Sequence, residues 1–354
     1  MRRLPSFLAS ASVSLLVITT ATGGICADLK GIGANGPTKL TEQTAAELAD
    51  TIRDFNTIGV KWVRMDFDWS EIEQRKGTYQ FGGYDAAVKA LTAAGIHVLG
   101  VIDYTPGWAS REKPSKFFPP AESADYGRFA AVLARRYAPM GVHAWEIWNE
   151  QNVGQFWSPA PDPQAYVALL RAAYEAVHQV DEHAIIVTGG LAQSPNSSTS
   201  IAALDFLEAI YAAGARSWFD AVGSHPYSSP YTPSDASPSN NWQRLERMRR
   251  SMRGIMAANG DSSKQLWVTE YGAPTGGVSP YSQKIVIDEE LQARMVREAY
   301  SLIRAYSWAG PLFWYQYQDL CPADPTRSSE CFYGLVRYDR SHKPAYDAYR
   351  LAQE

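Results

Sequence analysis

The sequence predicts an α/β chain folded as a single (β/α)8 TIM barrel, and three observations carry that prediction. β-type runs alternate with amphipathic helical stretches eight times, the pattern of a parallel sheet covered on its outside by helices. Long loop-like segments follow several of the runs, on the side where barrels build their sites. The length, 354 residues including a leader, is that of one barrel of ordinary size.

The eight runs span residues 30–35, 60–67, 97–103, 143–149, 184–188, 221–225, 266–270 and 312–317. Each is rich in Val, Ile, Trp, Phe or Tyr and is closed by Gly, Pro, Asp or Asn. Thr41 is placed as the N-cap of the first helix, where Ala45, Leu48, Ile52 and Phe55 share one face. Helical patterns follow over 84–94, 124–137, 164–180, 201–213, 243–258, 288–305 and 344–352, with Pro163 opening the fourth. The longest connections, 104–122, 226–241, 273–287 and 319–342, follow the third, sixth, seventh and eighth strands. No linker, repeat or low-complexity tract divides residues 28–354, which read as one catalytic domain.

Residues 1–27 read as a secretory signal peptide. Arg2 and Arg3 precede a mostly apolar run over 7–18, and small residues lead to Ala27. Cys26 raises a lipoprotein alternative, although Ile25 stands where a small residue would precede a lipidated cysteine. The expected location is therefore secreted or periplasmic. No later stretch is long and apolar enough to span a bilayer. Cys321 and Cys331 fall in one loop-like stretch. In an oxidising compartment they form a disulfide that pins the loop, with two free buried thiols as the alternative.

A net charge of −4 makes nucleic acid and anionic membranes poor partners. Six histidines occur, none spaced as HxH or HExxH, and three cysteines are too few for a zinc cluster. Neither metal nor cofactor is expected. Eleven Trp and twenty Tyr are many for this length. Most belong to a core, but flat aromatic faces also suit sugar rings, so a carbohydrate is the expected partner of a barrel expected to be a monomer.

Glycoside hydrolysis needs two carboxyl groups flanking one bond, one protonated and one ionised. Two candidates end strands. In HAWEIWNEQN, alternation puts Trp145, Ile147 and Asn149 on one side and Glu150 at the rim. In QLWVTEYG, Val268 and Glu270 are placed on one face. Strands four and seven stand across a small barrel, so both tips reach one sugar ring.

These segments resemble the clan A glycoside hydrolases: Trp-Asn-Glu ends strand four and Thr-Glu-Tyr-Gly ends strand seven. VKWVRMDFDWSEIEQRKGTYQF, GSHPY and LFWYQYQD extend the likeness from about Gly31 to Tyr349, closest to family 39 with family 5 next, in a single-domain bacterial form lacking an accessory β-sandwich. The resemblance implies a retaining double displacement, with Glu150 as acid/base and Glu270 as nucleophile. It further implies that Asn149 binds the sugar 2-hydroxyl, that Arg64 and Tyr227 flank Glu270, and that His225 orients the pair. Trp314 would form a stacking floor and Trp108 would line a neighbouring subsite. Asp66, Asp68 and Asp103 are read as mainly structural. A transglycosylase, a non-catalytic carbohydrate-binding barrel and a metal-dependent hydrolase are the competing readings. The sugar, its linkage and endo or exo action stay open.

Overall fold

A parallel sheet has unpaired edges unless it closes, and this one closes. We describe a computed structural model of the chain over residues 28–34, 39–110, 115–279 and 285–352. The leader reading of 1–27, with Cys26, lies outside the described residues. Eight parallel strands form the barrel: β1 (Lys30–Gly33), β2 (Trp62–Asp68), β3 (His97–Asp103), β4 (Ala144–Ile147), β5 (Ile185–Thr188), β6 (Ala221–His225), β7 (Gln265–Tyr271) and β8 (Ala309–Trp314). Each pairs with the next. Val187 opposite Ala221 joins β5 to β6, and Lys30 opposite Leu312 joins β8 to β1. A short strand, Leu191–Ala192, adds to the C-terminal half of β6.

Besides a single helical turn at Trp69–Ile72, eight helices among the described residues alternate with the strands: α1 (Ala45–Ile58), α2 (Gly82–Ala93), α3 (Ser123–Tyr137), α4 (Pro163–His178), α5 (Ala203–Ala212), α6 (Met252–Ala258), α7 (Glu289–Ala305) and α8 (Pro344–Leu351). Their apolar faces meet outward-facing strand residues such as Ile32, Val63, Val98, Ile147, Ile186, Val222 and Val268. Inside, period-two alternation gathers Trp62, Leu99, Ala144, Val187, Ala221, Trp267 and Phe313 into a closed apolar floor. A Cβ on Gly310 would fall 2.1 Å from the Trp267 ring, so only glycine leaves room for that floor. Above the floor on β2 the interior positions turn polar, beginning with Arg64.

Two local expectations are corrected. The N-cap of α1 is Thr44, not Thr41, because Glu47 completes a capping box: the Thr44 N–H donates to Glu47 Oε2 at 2.9 Å and the Glu47 N–H to Thr44 Oγ1 at 3.3 Å. Thr41 sits in a 3₁₀ turn, Leu40–Glu42. The helix expected over 243–258 is only its last part. Gln243 donates its amide to Pro233 O and Asp235 O, which ties that segment to the loop after β6. Ser251 then adopts extended backbone and caps a fresh start, accepting from Gly254 N.

Candidate active site

Arg64 lies two residues above Trp62 on the interior face of β2 and is 1% exposed. Each nitrogen of its guanidinium donates: Nε to Glu146 Oε2 at 2.6 Å, Nη1 to Glu270 Oε1 at 2.7 Å and Nη2 to Asn149 Oδ1 at 2.9 Å. Burial works against the cation, but Glu146 and Glu270 outweigh it and hold Arg64 even more firmly charged than usual. One fork thus positions residues from β4, the turn after it and β7.

Strict alternation would not bring Asn149 and Glu270 to that fork. Trp145 and Ile147 face the helices, and Asn149 would follow them. Instead Trp148 has φ of 72° and Glu150 of 47°, left-handed conformations costly for side chains larger than glycine and concentrated at functional sites. This kink turns Asn149 onto Arg64 and Glu150 into the mouth. On β7 the register slips by one residue between Val268 and Tyr271 relative to β8. Val268 faces outward with Tyr271, while Thr269 and Glu270 both turn inward. The expected common face of Val268 and Glu270 is therefore corrected by a β-bulge, a feature often found beside active sites.

Glu270 accepts on both oxygens, from Arg64 and from Tyr227 Oη at 2.8 Å. Burial, then the adjacent Glu270, push the Tyr227 phenol well above its usual range, so it keeps the proton it donates. Glu150 Oε1 lies 2.9 Å from His225 Nδ1. His225 Nε2 lies 3.1 Å from Thr269 Oγ1, and that hydroxyl donates to Glu146 Oε1 at 3.0 Å. Because the hydroxyl proton is committed to a carboxylate, the network assigns the N–H of His225 to Nε2. With a neutral ring, Nδ1 and Glu150 then share a single proton. Burial disfavours the charged ring, but Glu270 and the Glu150 hydrogen bond outweigh it and raise the His225 pKa. Glycine is required beside this ring: a Cβ on Gly190 would lie 2.0 Å from His225 Nε2 and 2.5 Å from Thr269 Oγ1.

One ligand atom each from Glu150, His225 and Glu270 lie within 4.8 Å of one another. In principle they offer a metal three ligands. Here each is bound to a neighbouring donor or acceptor, and the guanidinium already sits against Glu270. Glu150 and Glu270, with Arg64 and Asn149, line a cavity of about 800 Å³. Tyr104, Tyr227, Tyr315 and Tyr333 line it, as do residues of the connections after β4 and β5, including Phe156 and Gln193.

The cellulase (glycosyl hydrolase family 5) model matches residues 27–308. The chain belongs to glycosyl hydrolase family 5. No curated protein matches this family 5 chain. Among solved structures it is similar to a family 39 glycoside hydrolase from Bacteroides cellulosilyticus WH2, with TM-score 0.71 and 25% identity over 92% of this chain and 63% of that one. A monomeric β-xylosidase from Caulobacter crescentus CB15 gives 0.64 and 19%, over 92% and 67%. An exo-β-1,4-mannosidase from an Opitutaceae bacterium gives 0.61 and 15%, over 91% and 58%. The chain thus spans 63% of the length of the first of these, and the clan A resemblance to families 39 and 5 stands.

In this family 5 barrel, Glu150, Glu270, Asn149, Arg64 and Tyr227 line the cavity, and His225 lies buried behind Glu150. Two predicted residues do not. Trp314 is fully buried on the outer side of β8 and donates Nε1–H to Tyr333 O at 2.9 Å. Alternation sends its neighbour Tyr315 to the cavity instead. Trp108 packs edge-on against Trp69 and donates to Glu73 O at 2.7 Å, away from the residues lining the cavity. Tyr271 and Tyr317 are buried, bonded to Ser228 and Asp54.

The sequence reading missed Glu146 and Thr269, the inner partners of Arg64 and His225. Glu146 left a signal: a lone charge inside an apolar strand, in phase with Ala144, requires a buried partner. The loop 319–342 is pinned as expected, by a disulfide between Cys321 and Cys331. It presents Glu330 and Tyr333 to the cavity.

Proposed function

We propose that this protein is a retaining glycoside hydrolase acting on O-glycosidic bonds of a poly- or oligosaccharide. The observation that carries the reading is the approach of Glu150 and Glu270, whose nearest carboxylate oxygens lie within 4.8 Å on the floor of a sugar-sized cavity. Double displacement calls for carboxyl groups about 5–5.5 Å apart, whereas an inverting pair leaves roughly 6.5–9.5 Å for water. Glu150 gives its proton to the departing oxygen while Glu270 attacks the anomeric carbon and forms a glycosyl ester. Water then attacks that carbon and loses its proton to Glu150, and Glu270 departs as a carboxylate. His225 shares the proton on Glu150 and keeps that carboxyl aimed. Asn149, held through Oδ1 by Arg64, has its amide N–H groups left to meet the sugar 2-hydroxyl.

The disulfide also supports export to an oxidising compartment, in line with the leader reading of residues 1–27. The test is release of reducing ends from xylan, mannan and β-glucan, with NMR of the first-formed anomer. Wild type should give the retained anomer, and Glu270→Ala should lose about three orders of magnitude or more in kcat. An inverted product, or unchanged turnover in Glu270→Ala, would overturn the assignment.

A further inference from the structure

Glu146 on β4 is fully buried, behind the residues that line the cavity, where no sugar reaches it. It accepts three hydrogen bonds: from Arg64 Nε at 2.6 Å on Oε2, and from Gly190 N at 2.8 Å and Thr269 Oγ1 at 3.0 Å on Oε1. Each donor would be left unsatisfied without it, so one buried carboxylate holds all three in place. Each donor also leads on to Glu150 or Glu270. Arg64 Nη1 donates to Glu270 Oε1 at 2.7 Å. Gly190 O accepts from Glu150 N at 3.1 Å. Thr269 Oγ1 lies 3.1 Å from His225 Nε2, and His225 Nδ1 lies 2.9 Å from Glu150 Oε1.

We propose that Glu146 is a positioning residue for both Glu150 and Glu270. It anchors Arg64 against the nucleophile and, through Thr269, turns the bare nitrogen of His225 toward the acid/base, so that a proton stays between them. The proposal rests on the hydrolase reading above. The direction of the chain follows from Glu146 having only lone pairs to offer. Thr269 gives its one hydroxyl proton to Glu146, its oxygen then accepts from His225, and the ring carries its N–H on Nε2. Nδ1 of the neutral ring presents a lone pair to a carboxyl oxygen 2.9 Å away, which repels unless a proton lies between them. The proton that Glu150 must donate is thereby held at the site until the leaving oxygen takes it. On the other arm, tying Nε to Glu146 fixes the plane of the guanidinium, and Nη1 stays on Glu270. A glutamine at position 146 reverses the chain. Arg64 Nε claims the side-chain oxygen, which leaves the amide N–H groups facing Thr269. The Thr269 hydroxyl then accepts from that amide and donates to His225 Nε2. The N–H of the ring moves to Nδ1, where it donates to Glu150 as a carboxylate, and the proton of the acid is lost to solvent.

The test reads the ring directly and the chemistry through the leaving group. Long-range proton–nitrogen NMR of the full chain, with nitrogen-15-labelled histidine at pH 7, identifies His225 as the signal missing from His225→Gln. It should place the N–H on Nε2 in wild type and on Nδ1 in both Glu146→Gln and Thr269→Val. kcat/KM is measured on phenyl β-glycosides of xylose, mannose and glucose, whose phenol leaves only with a proton, and on the 2,4-dinitrophenyl series, whose phenolate leaves without one. Thr269→Val, which leaves the Arg64 fork intact, should lose about tenfold or more on the phenyl substrate and less than about threefold on the dinitrophenyl one. Thr269→Ser, which keeps the hydroxyl, should recover most of that loss. Glu146→Gln disturbs both arms and should lose about tenfold or more on both substrates. A merely structural role would lower both substrates alike in Thr269→Val and leave the N–H where it was. An N–H on Nδ1 in wild type, equal losses on the two leaving groups in Thr269→Val, or Glu146→Gln within about threefold of wild type on both overturns the proposal. Failure of the hydrolase reading is seen separately, as turnover that survives Glu270→Ala.

Discussion

Replacing Asp66, which lines the main cavity, with asparagine should stabilise the protein at neutral pH. The usual pKa of this carboxyl is 3.8, and burial beside Glu270, Asp68 and Glu146 raises it to about 6, with only partial relief from Arg64. A raised carboxyl pKa means that between the two values the folded state binds more protons than the unfolded one. Stability is therefore lost as pH climbs from about 4 to about 6 and is not regained above that. At about 1.36 kcal/mol per pKa unit, the ionised side chain costs the fold on the order of 3 kcal/mol at pH 7. Asparagine keeps the shape and cannot ionise. Thermal melts of both proteins from pH 4 to pH 8 should coincide near pH 4 and separate as pH rises, with the variant ahead by roughly 5 °C at pH 7. Equal melting temperatures at pH 7, or a variant less stable there than at pH 4 relative to wild type, would show that the carboxylate has a stabilising partner and would refute the reasoning. The expected pattern is a site kept functional at a cost in stability.

Three further outcomes follow from the same geometry. Arg64→Met should destabilise the fold by about 3–5 kcal/mol in denaturant titration, because Glu146 and Glu270 would lose the cation they share; a loss under about 1 kcal/mol would mean the fork is not the keystone described. Gly190→Ala should leave a folded protein with turnover down by at least about tenfold, since its methyl group displaces His225 from Glu150 and Thr269; wild-type turnover would show that the ring does not hold Glu150 in place. Activity should persist undiminished in chelator, and a loss that added metal restores would reassign Glu150, His225 and Glu270 as ligands.

The order of strands and helices was legible in the sequence because each element carries its own period, and eight repeats of one unit leave few alternatives to a closed sheet. Glu150 and Glu270 were legible for a related reason: both end apolar strands whose position in the series puts them at the mouth. Sequence alone also pointed to the Cys321–Cys331 bridge. What it did not determine was the direction of individual side chains where the period breaks. The left-handed turn at Trp148 and Glu150 and the extra residue between Val268 and Tyr271 reverse the alternation at the two places that matter most. Nothing local marks either break, because each is sustained by contacts far along the chain, above all the Arg64 fork joining β2 to β4 and β7. The same holds for Trp314 and Tyr315, where one residue of phase decides which ring meets solvent and which is buried. Helix boundaries such as Thr44 and Ser251 were decided by competing hydrogen bonds rather than by propensity. Composition and period fixed the barrel; closure of that barrel, by bringing distant charges into one dry interior, decided which side chains must face one another.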